Sequence, residues 1–240
     1  MTITLKRISW VVFLALLLLV IPRLSGIVAS LFNYSAVDPD GSYAWISVHH
    51  IVQALIFSAV MAILSKYKNL EYGLKWGDRA AGKQYVLTFS FYFGIYTAGA
   101  FLTIFLTNSF QPFEYPLTAV NIIGQIGFQL LLSGPSEELI FRAFAITMLA
   151  LMIKGKILNG RLSYANIIAA VVFGLAHVGF SFAPFELRYS AFQVIYSIVL
   201  GLFYGDCFEK TGSVYYPMMM HSITNVVMVG IIIIASLLIA

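Results

Sequence analysis

The run Glu137-Glu138-Leu139-Ile140-Phe141-Arg142 sets two carboxylates and a guanidinium inside an otherwise apolar stretch. Glu138 and Arg142 are four apart, share one helix face and can pair. Glu137 then points about 100° away around the same helix, without a charge partner in its own segment. Two further constellations follow. Phe173-Gly174-Leu175-Ala176-His177 ends on an imidazole, and His221-Ser222-Ile223-Thr224-Asn225 puts an imidazole and an amide on one face. Singly, each has a bland explanation. Acids after the Gly134-Pro135 break suit a helix N-terminus, and a histidine within a membrane is more often a packing or interfacial residue. Together, Glu137, His177, His221 and Asn225 supply a candidate base, an imidazole partner and two hydrogen-bond donors. Those are the parts for activating water and holding an oxyanion.

The elements that must position these groups are read from composition. The chain has 240 residues, of which 60% are hydrophobic and 10% charged, with a mean hydropathy of +0.91. Globular chains average about 45–50% apolar and about 25% charged, so there is too little charge to coat a soluble particle. With 20 Phe and 14 Tyr, disorder is excluded as well. The single cysteine, Cys207, allows no internal disulfide and too few thiolates for a zinc ribbon or an iron–sulfur cluster. The expected fold is all-α, a polytopic integral membrane helix bundle of about seven transmembrane helices, within a range of six to eight. An ionisable group inside such a span costs roughly 2.5–3.5 kcal/mol on insertion scales, so the three charges of 137–142 call for a function.

Seven segments approach the roughly 20 apolar residues that cross a bilayer: 8–32, 44–64, 85–106, 117–153, 163–182, 189–208 and 214–239. With the N-terminus inside, the cytoplasmic connections hold Lys6, Arg7, Lys66, Lys68, Lys75, Arg79, Lys83, Lys154, Lys156, Arg161 and Lys210, and the outer ones only Arg188. That bias predicts N-in, C-out. It makes the net charge of +4 a topology signal and excludes nucleic acid as a partner. The first segment has the basic start of a signal peptide but runs long for one, so an uncleaved span is expected. The fourth, about 55 Å as one helix, is interrupted by Ser133-Gly134-Pro135-Ser136. Charge asymmetry favours one kinked or partly re-entrant crossing over two. His49 and His50 are expected at the interface, and Arg23 is expected to snorkel to the outer surface. Gly201 and Gly205 are expected at a close helix contact. Residues 1–112 form an N-terminal three-helix region and 113–240 the core, in one continuous bundle.

Glu-Glu-x-x-x-Arg at 137–142, Phe-x-x-x-His at 173–177 and His-x-x-x-Asn at 221–225 occur in that order on successive spans, with Thr211-Gly212-Ser213 ahead of the third. Over roughly residues 115–230 this resembles the CAAX-protease and bacteriocin-processing family, also called Abi. The resemblance implies an intramembrane endopeptidase. It implies that Glu137 activates water with His177 as its partner, and that His221 and Asn225 hold the oxyanion. Glu138, Arg142 and Phe173 are implied as supporting residues. The expected substrate is a membrane-bound or membrane-proximal peptide, whether prenylated and CAAX-type or bacteriocin-like. The expected location is the cell membrane, in the bacterial plasma membrane.

A zinc ion would take Glu137, His177 and His221, but no His-Glu-x-x-His helix is present, and no obligatory metal is expected. Two other function classes fit the composition. A non-catalytic interaction or immunity protein needs none of the four site residues together. A proton-coupled carrier is weakened by the missing inverted repeat. A further difficulty is depth: His177 falls near the outer end of its segment, whereas His221 lies about 10 Å from the inner start of the last.

Overall fold

The computed structural model describes residues 3–182 and 185–239. Among these residues five helices are long and apolar enough to cross a bilayer: α1 (Ile3–Ala29), α2 (Ala44–Lys68), α3 (Arg79–Leu106), α8 (Ala191–Thr211) and α9 (Tyr215–Ile239). Their outer faces are apolar, with Leu16, Ile27, Leu55, Phe91, Leu102, Ile195 and Leu238 all exposed. A soluble monomer rarely shows contiguous apolar surface on this scale. The protein is a multi-pass membrane helix bundle.

Between α3 and α8 the chain departs from a simple succession of spans. Residues 119–152 are helical throughout, but the winding changes four times. α4 (Ala119–Phe128) passes into a π stretch at Gln129–Ser133, then α5 (Gly134–Glu138), a second π stretch at Leu139–Phe144, and α6 (Ala145–Met152). Pro135 supplies no N–H and its ring crowds the carbonyl four residues back. The wider π turn relieves that conflict without breaking the helix, and π turns recur at functional sites. The kink expected from sequence is therefore a change of winding, with no re-entrant reversal.

The fifth segment needs correction. Only Tyr164–Ala176 is helical (α7), 13 residues, about 20 Å long. After it comes a hairpin of β3 (Gly179–Phe182) and β4 (Phe185–Arg188). A smaller ribbon, β1 (Lys156–Ile157) with β2 (Leu162–Ser163), precedes it. Among the described residues the fold presents five helices of span length, one long helix of mixed winding and one short helix.

The helix ends are set by local chemistry. The side chains of Asp78, Thr118, Ser163 and Ser190 accept from the first-turn N–H groups of α3, α4, α7 and α8. α2 is capped from a distance: Asp38 accepts from the N–H groups of Ser42, Tyr43 and Ala44 at 2.7–2.8 Å. The apolar core runs through Leu18 of α1, Phe57 of α2, Ile140 and Phe144 of the second π stretch, Leu149 of α6 and Val172 of α7. It fixes the middle of the 119–152 helix from both sides. Gly201 and Gly205 of α8 face α7: a Cβ at 201 would lie 3.1 Å from Ala170 Cβ, and one at 205 would overlap the Asn166 amide. This is the close contact expected of that pair. Arg23 is exposed. It donates to the Val178 carbonyl at 3.1 Å and sits over the Phe180 ring.

Candidate active site

Glu137 and Glu138 are chain neighbours in different environments. Glu138 is fully buried. Its Oε1 lies 3.1 Å from Arg142 Nη1, as the four-residue spacing requires, and accepts from His221 Nδ1 at 2.8 Å. A carboxylate paired with a guanidinium can only accept, so the His221 proton at this bond is on Nδ1. The Nε2 side of the same ring faces Glu137 Oε2 at 3.7 Å. Glu137 keeps 20% of its side chain exposed and makes no hydrogen bond among the described residues. It is the one carboxylate here that is both accessible and uncommitted.

The elements explain this placement. Gly134 lets α9 approach α5 closely: a Cβ there would stand 2.9 Å from Ser222 N and 3.1 Å from His221 Cβ. That approach brings His221 onto the two acids. Arg142 is 1% exposed, with its guanidinium over the rings of Phe173, at 4.5 Å, and Tyr204, at 5.4 Å. Such stacking replaces part of the lost hydration of a buried cation. Phe173 also bridges the two histidines, its ring 5.0 Å from that of His177 and 5.9 Å from that of His221. Its carbonyl accepts from His177 Nδ1 at 2.9 Å, which turns Nε2 of that ring outward. Asn225 Nδ2 donates to Ser133 Oγ at 3.0 Å.

The depth problem has a partial resolution. α7 stops at Ala176, so His177 caps a short helix instead of lying far along a full span. The structure links Glu137, Glu138, Arg142 and Phe173 around His221: both acids and the Phe173 ring face its imidazole, and Arg142 joins Glu138 to Phe173. His177 joins through Phe173, and Asn225 through Ser133. Among the described residues His177 forms no ion pair with Glu137.

Residues 119–227 match the family described as type II CAAX prenyl endopeptidase, Rce1-like. The protein carries an Rce1-like domain. It includes all three motifs and every residue so far placed at the site. The CAAX-protease resemblance of the sequence is thereby shown, for a domain that begins at α4 and ends within α9. No curated protein and no solved structure matched the chain.

The donor set of the Rce1-like domain has one feature of a zinc site. Two histidines present an outward Nε2 backed by an acceptor at Nδ1, as metal-bound histidines commonly do. Among the described residues, however, no three of His, Cys, Asp and Glu converge on one point as an ion requires.

Two participants lie where sequence reading did not place them. His50, expected at the interface, is 6% exposed, with Nε2 at 4.0 Å from Glu137 Oε1. It lies on α2, outside the Rce1-like domain. Gln53, three residues on and on the same face, was the available signal. Tyr204 stacks on His221 with centroids 5.2 Å apart and bonds Thr224 Oγ1 at 2.7 Å. Nothing local in its sequence marks it.

Proposed function

We propose that the protein is an intramembrane endopeptidase that hydrolyses a peptide bond of a membrane-bound or membrane-proximal substrate with Glu137 as general base. The observation that carries this is the contrast between the two acids: Glu138 is buried and bonded, while Glu137 is accessible, unbonded and faces imidazole. Glu137 takes a proton from water as the water oxygen attacks the scissile carbonyl carbon, giving a tetrahedral oxyanion. The proton taken up faces His221 Nε2 across 3.7 Å. On that nitrogen it makes an N–H donor for the oxyanion. Asn225 has a second amide N–H beyond the one given to Ser133, and it serves the same charge. His177 Nε2 orients the attacking water. Collapse of the intermediate breaks the C–N bond, and the proton held between Glu137 and His221 passes to the leaving amine.

Glu138, Arg142 and Phe173 hold the assembly, and no metal takes part in these steps. The substrate class that fits the family is a C-terminal CAAX-type peptide, prenylated or otherwise held at the bilayer. The reading is tested by incubating purified protein with candidate membrane peptides, with and without chelator. Cleavage by wild type in chelator, absent in Glu137→Gln, supports it. Cleavage abolished by chelator restores the metal reading. Orientation is proposed as N-terminus cytoplasmic, from the distribution of Lys and Arg. Reporter fusions after Lys68 and after Lys156 should both read cytoplasmic, and an external signal at either one overturns it.

A further inference from the structure

His50 belongs to none of the three motifs and lies outside residues 119–227. It is held more closely than a packing histidine needs. Its Nδ1 is 2.6 Å from Ser136 Oγ and 3.1 Å from Gln53 Nε2, and Gln53 also donates to Ser136 Oγ at 3.3 Å. All three residues are buried. The edge of the ring packs against Phe128, centroids 5.0 Å apart. An amide NH2 only donates, so Nδ1 accepts and the ring proton is on Nε2. That proton faces Glu137 Oε1 at 4.0 Å, while His221 addresses the other carboxylate oxygen, Oε2. The separation exceeds a hydrogen bond. It is short enough for one bridging water or a small side-chain adjustment, and apo sites commonly tighten when substrate binds.

From this geometry we propose that His50 is a positioning residue for Glu137. Its tautomer is set by Gln53 and Ser136, and α2 thereby completes a site that the Rce1-like domain alone leaves open on one side. Since His221 gives its proton to Glu138 and turns an unprotonated Nε2 to Oε2, the N–H of His50 is what can hold the ionised carboxylate in one orientation, aimed at the water it deprotonates. Without His50 the carboxylate loses that N–H and turns about its terminal bond. Small misplacements of a reacting group are costly, a 1 Å shift reaching about 10²-fold.

The inference rests on Glu137 being the base, so its test has one arm that needs no cleavage. Full-length wild type, His50→Ala, His50→Gln and Gln53→Leu are compared in detergent and in nanodiscs. Kinetics on a membrane peptide should show kcat lowered about 10–100-fold in His50→Ala with KM little changed, since alignment, not binding, is lost. His50→Gln, which restores an N–H on that side, should recover most of the loss. Gln53→Leu leaves the ring in place but frees its tautomer, and should lower kcat severalfold; it carries the test if His50→Ala does not fold. In the second arm, a hydrophobic carbodiimide labels carboxyl groups and mass spectrometry reads Glu137, which should label severalfold faster in His50→Ala. A change in KM alone, or wild-type kcat in both His50→Ala and Gln53→Leu, overturns the proposal. If wild type cleaves nothing while labelling still responds to His50, the peptidase reading fails and the positioning stands. Unchanged labelling overturns the positioning.

Discussion

The bundle holds two buried polar clusters that behave oppositely. The first lies where the loop before α2 meets the start of α4. Asn121 is fully buried there, donates both amide hydrogens, to Asp40 Oδ2 and the Pro116 carbonyl at 2.8 Å each, and accepts from Ser42 Oγ at 3.0 Å. Gln125 donates to the Ser42 carbonyl, and Asp38 accepts three backbone N–H groups. The second cluster is the site. There Arg142 and Glu138 lie within ion-pair distance, yet among the described residues both Nη atoms of Arg142 and Oε2 of Glu138 are buried without a hydrogen-bond partner, and Glu137 makes no hydrogen bond. A fully satisfied polar network stabilises and fixes geometry, whereas a partly satisfied one keeps groups available at an energetic cost. The difference separates polar groups that hold helices together from those that act.

The largest effect expected from breaking this contrast is at Glu137. Replacing it with the nearly isosteric Gln should leave folding and substrate binding intact, since Glu137 supports no hydrogen bond. Turnover should fall by more than the roughly 10²–10³ that a lost oxyanion donor costs. Thermal unfolding in detergent and a cleavage assay check both halves. Normal cleavage by Glu137→Gln would move the base elsewhere.

Arg142→Ala tests the opposite property. It leaves Glu138 as an uncompensated buried charge, at about 3–5 kcal/mol for a broken buried pair. Folded yield should drop together with activity. Glu138→Gln combined with Arg142→Gln removes the charge and should recover yield better than activity. Equal detergent yields of wild type and Arg142→Ala would remove the structural role of the pair.

How much of this was legible in the sequence follows the range of each interaction. The long helices show in hydropathy because lipid contact is a local property of each residue. The Glu138–Arg142 pair shows because it closes within one turn. α7 was overestimated because Val178–Phe182 is as apolar as a span, and only the hairpin with Phe185–Arg188 turns it aside. The π stretches are invisible to a pattern that assumes 3.6 residues per turn. His50 was read as interfacial because its partners Ser136 and Glu137 are more than 80 residues away, and only Gln53 lies within reach on its own helix. Glu137 has no charge partner in its own segment, and the imidazoles that face it come from α2 and α9, which no local pattern shows.

At the satisfied cluster, smaller effects of a different kind are expected. Asn121→Ala leaves Ser42 and Asp40 without their buried partner and should lower stability by about 1–3 kcal/mol. The kcat of the folded fraction should stay near wild type, because the hydrogen bonds of Asn121 go to Ser42, Asp40, Pro116 and Thr118 and to no residue of the site. A kcat loss exceeding the loss of folded protein would show that the two clusters are coupled.

The smallest expected effect is in the pH dependence at Asp38, in the loop outside the spans. Burial alone would raise this carboxyl, but the N–H groups of Ala44, Tyr43 and Ser42, with the Ser42 hydroxyl, outweigh it and hold the group below the usual carboxylate range. A depressed folded-state value means that the unfolded chain binds the proton more tightly. The stabilisation is therefore fully present above the unfolded Asp value of about 3.9 and is lost as pH falls through the lower folded value. The negative charge also sits at the N-terminus of α2, where the helix dipole favours it by roughly 0.3–1 kcal/mol. Asp38→Asn keeps one accepting oxygen but not the charge. It should lower the melting temperature slightly at neutral pH and flatten the fall in stability below about pH 4. Melting curves of the two proteins across that interval decide the matter. If their acid limbs superimpose, Asp38 is not the titrating group, and the ordered loop before α2 owes its fold to Asn121 and Gln125 instead.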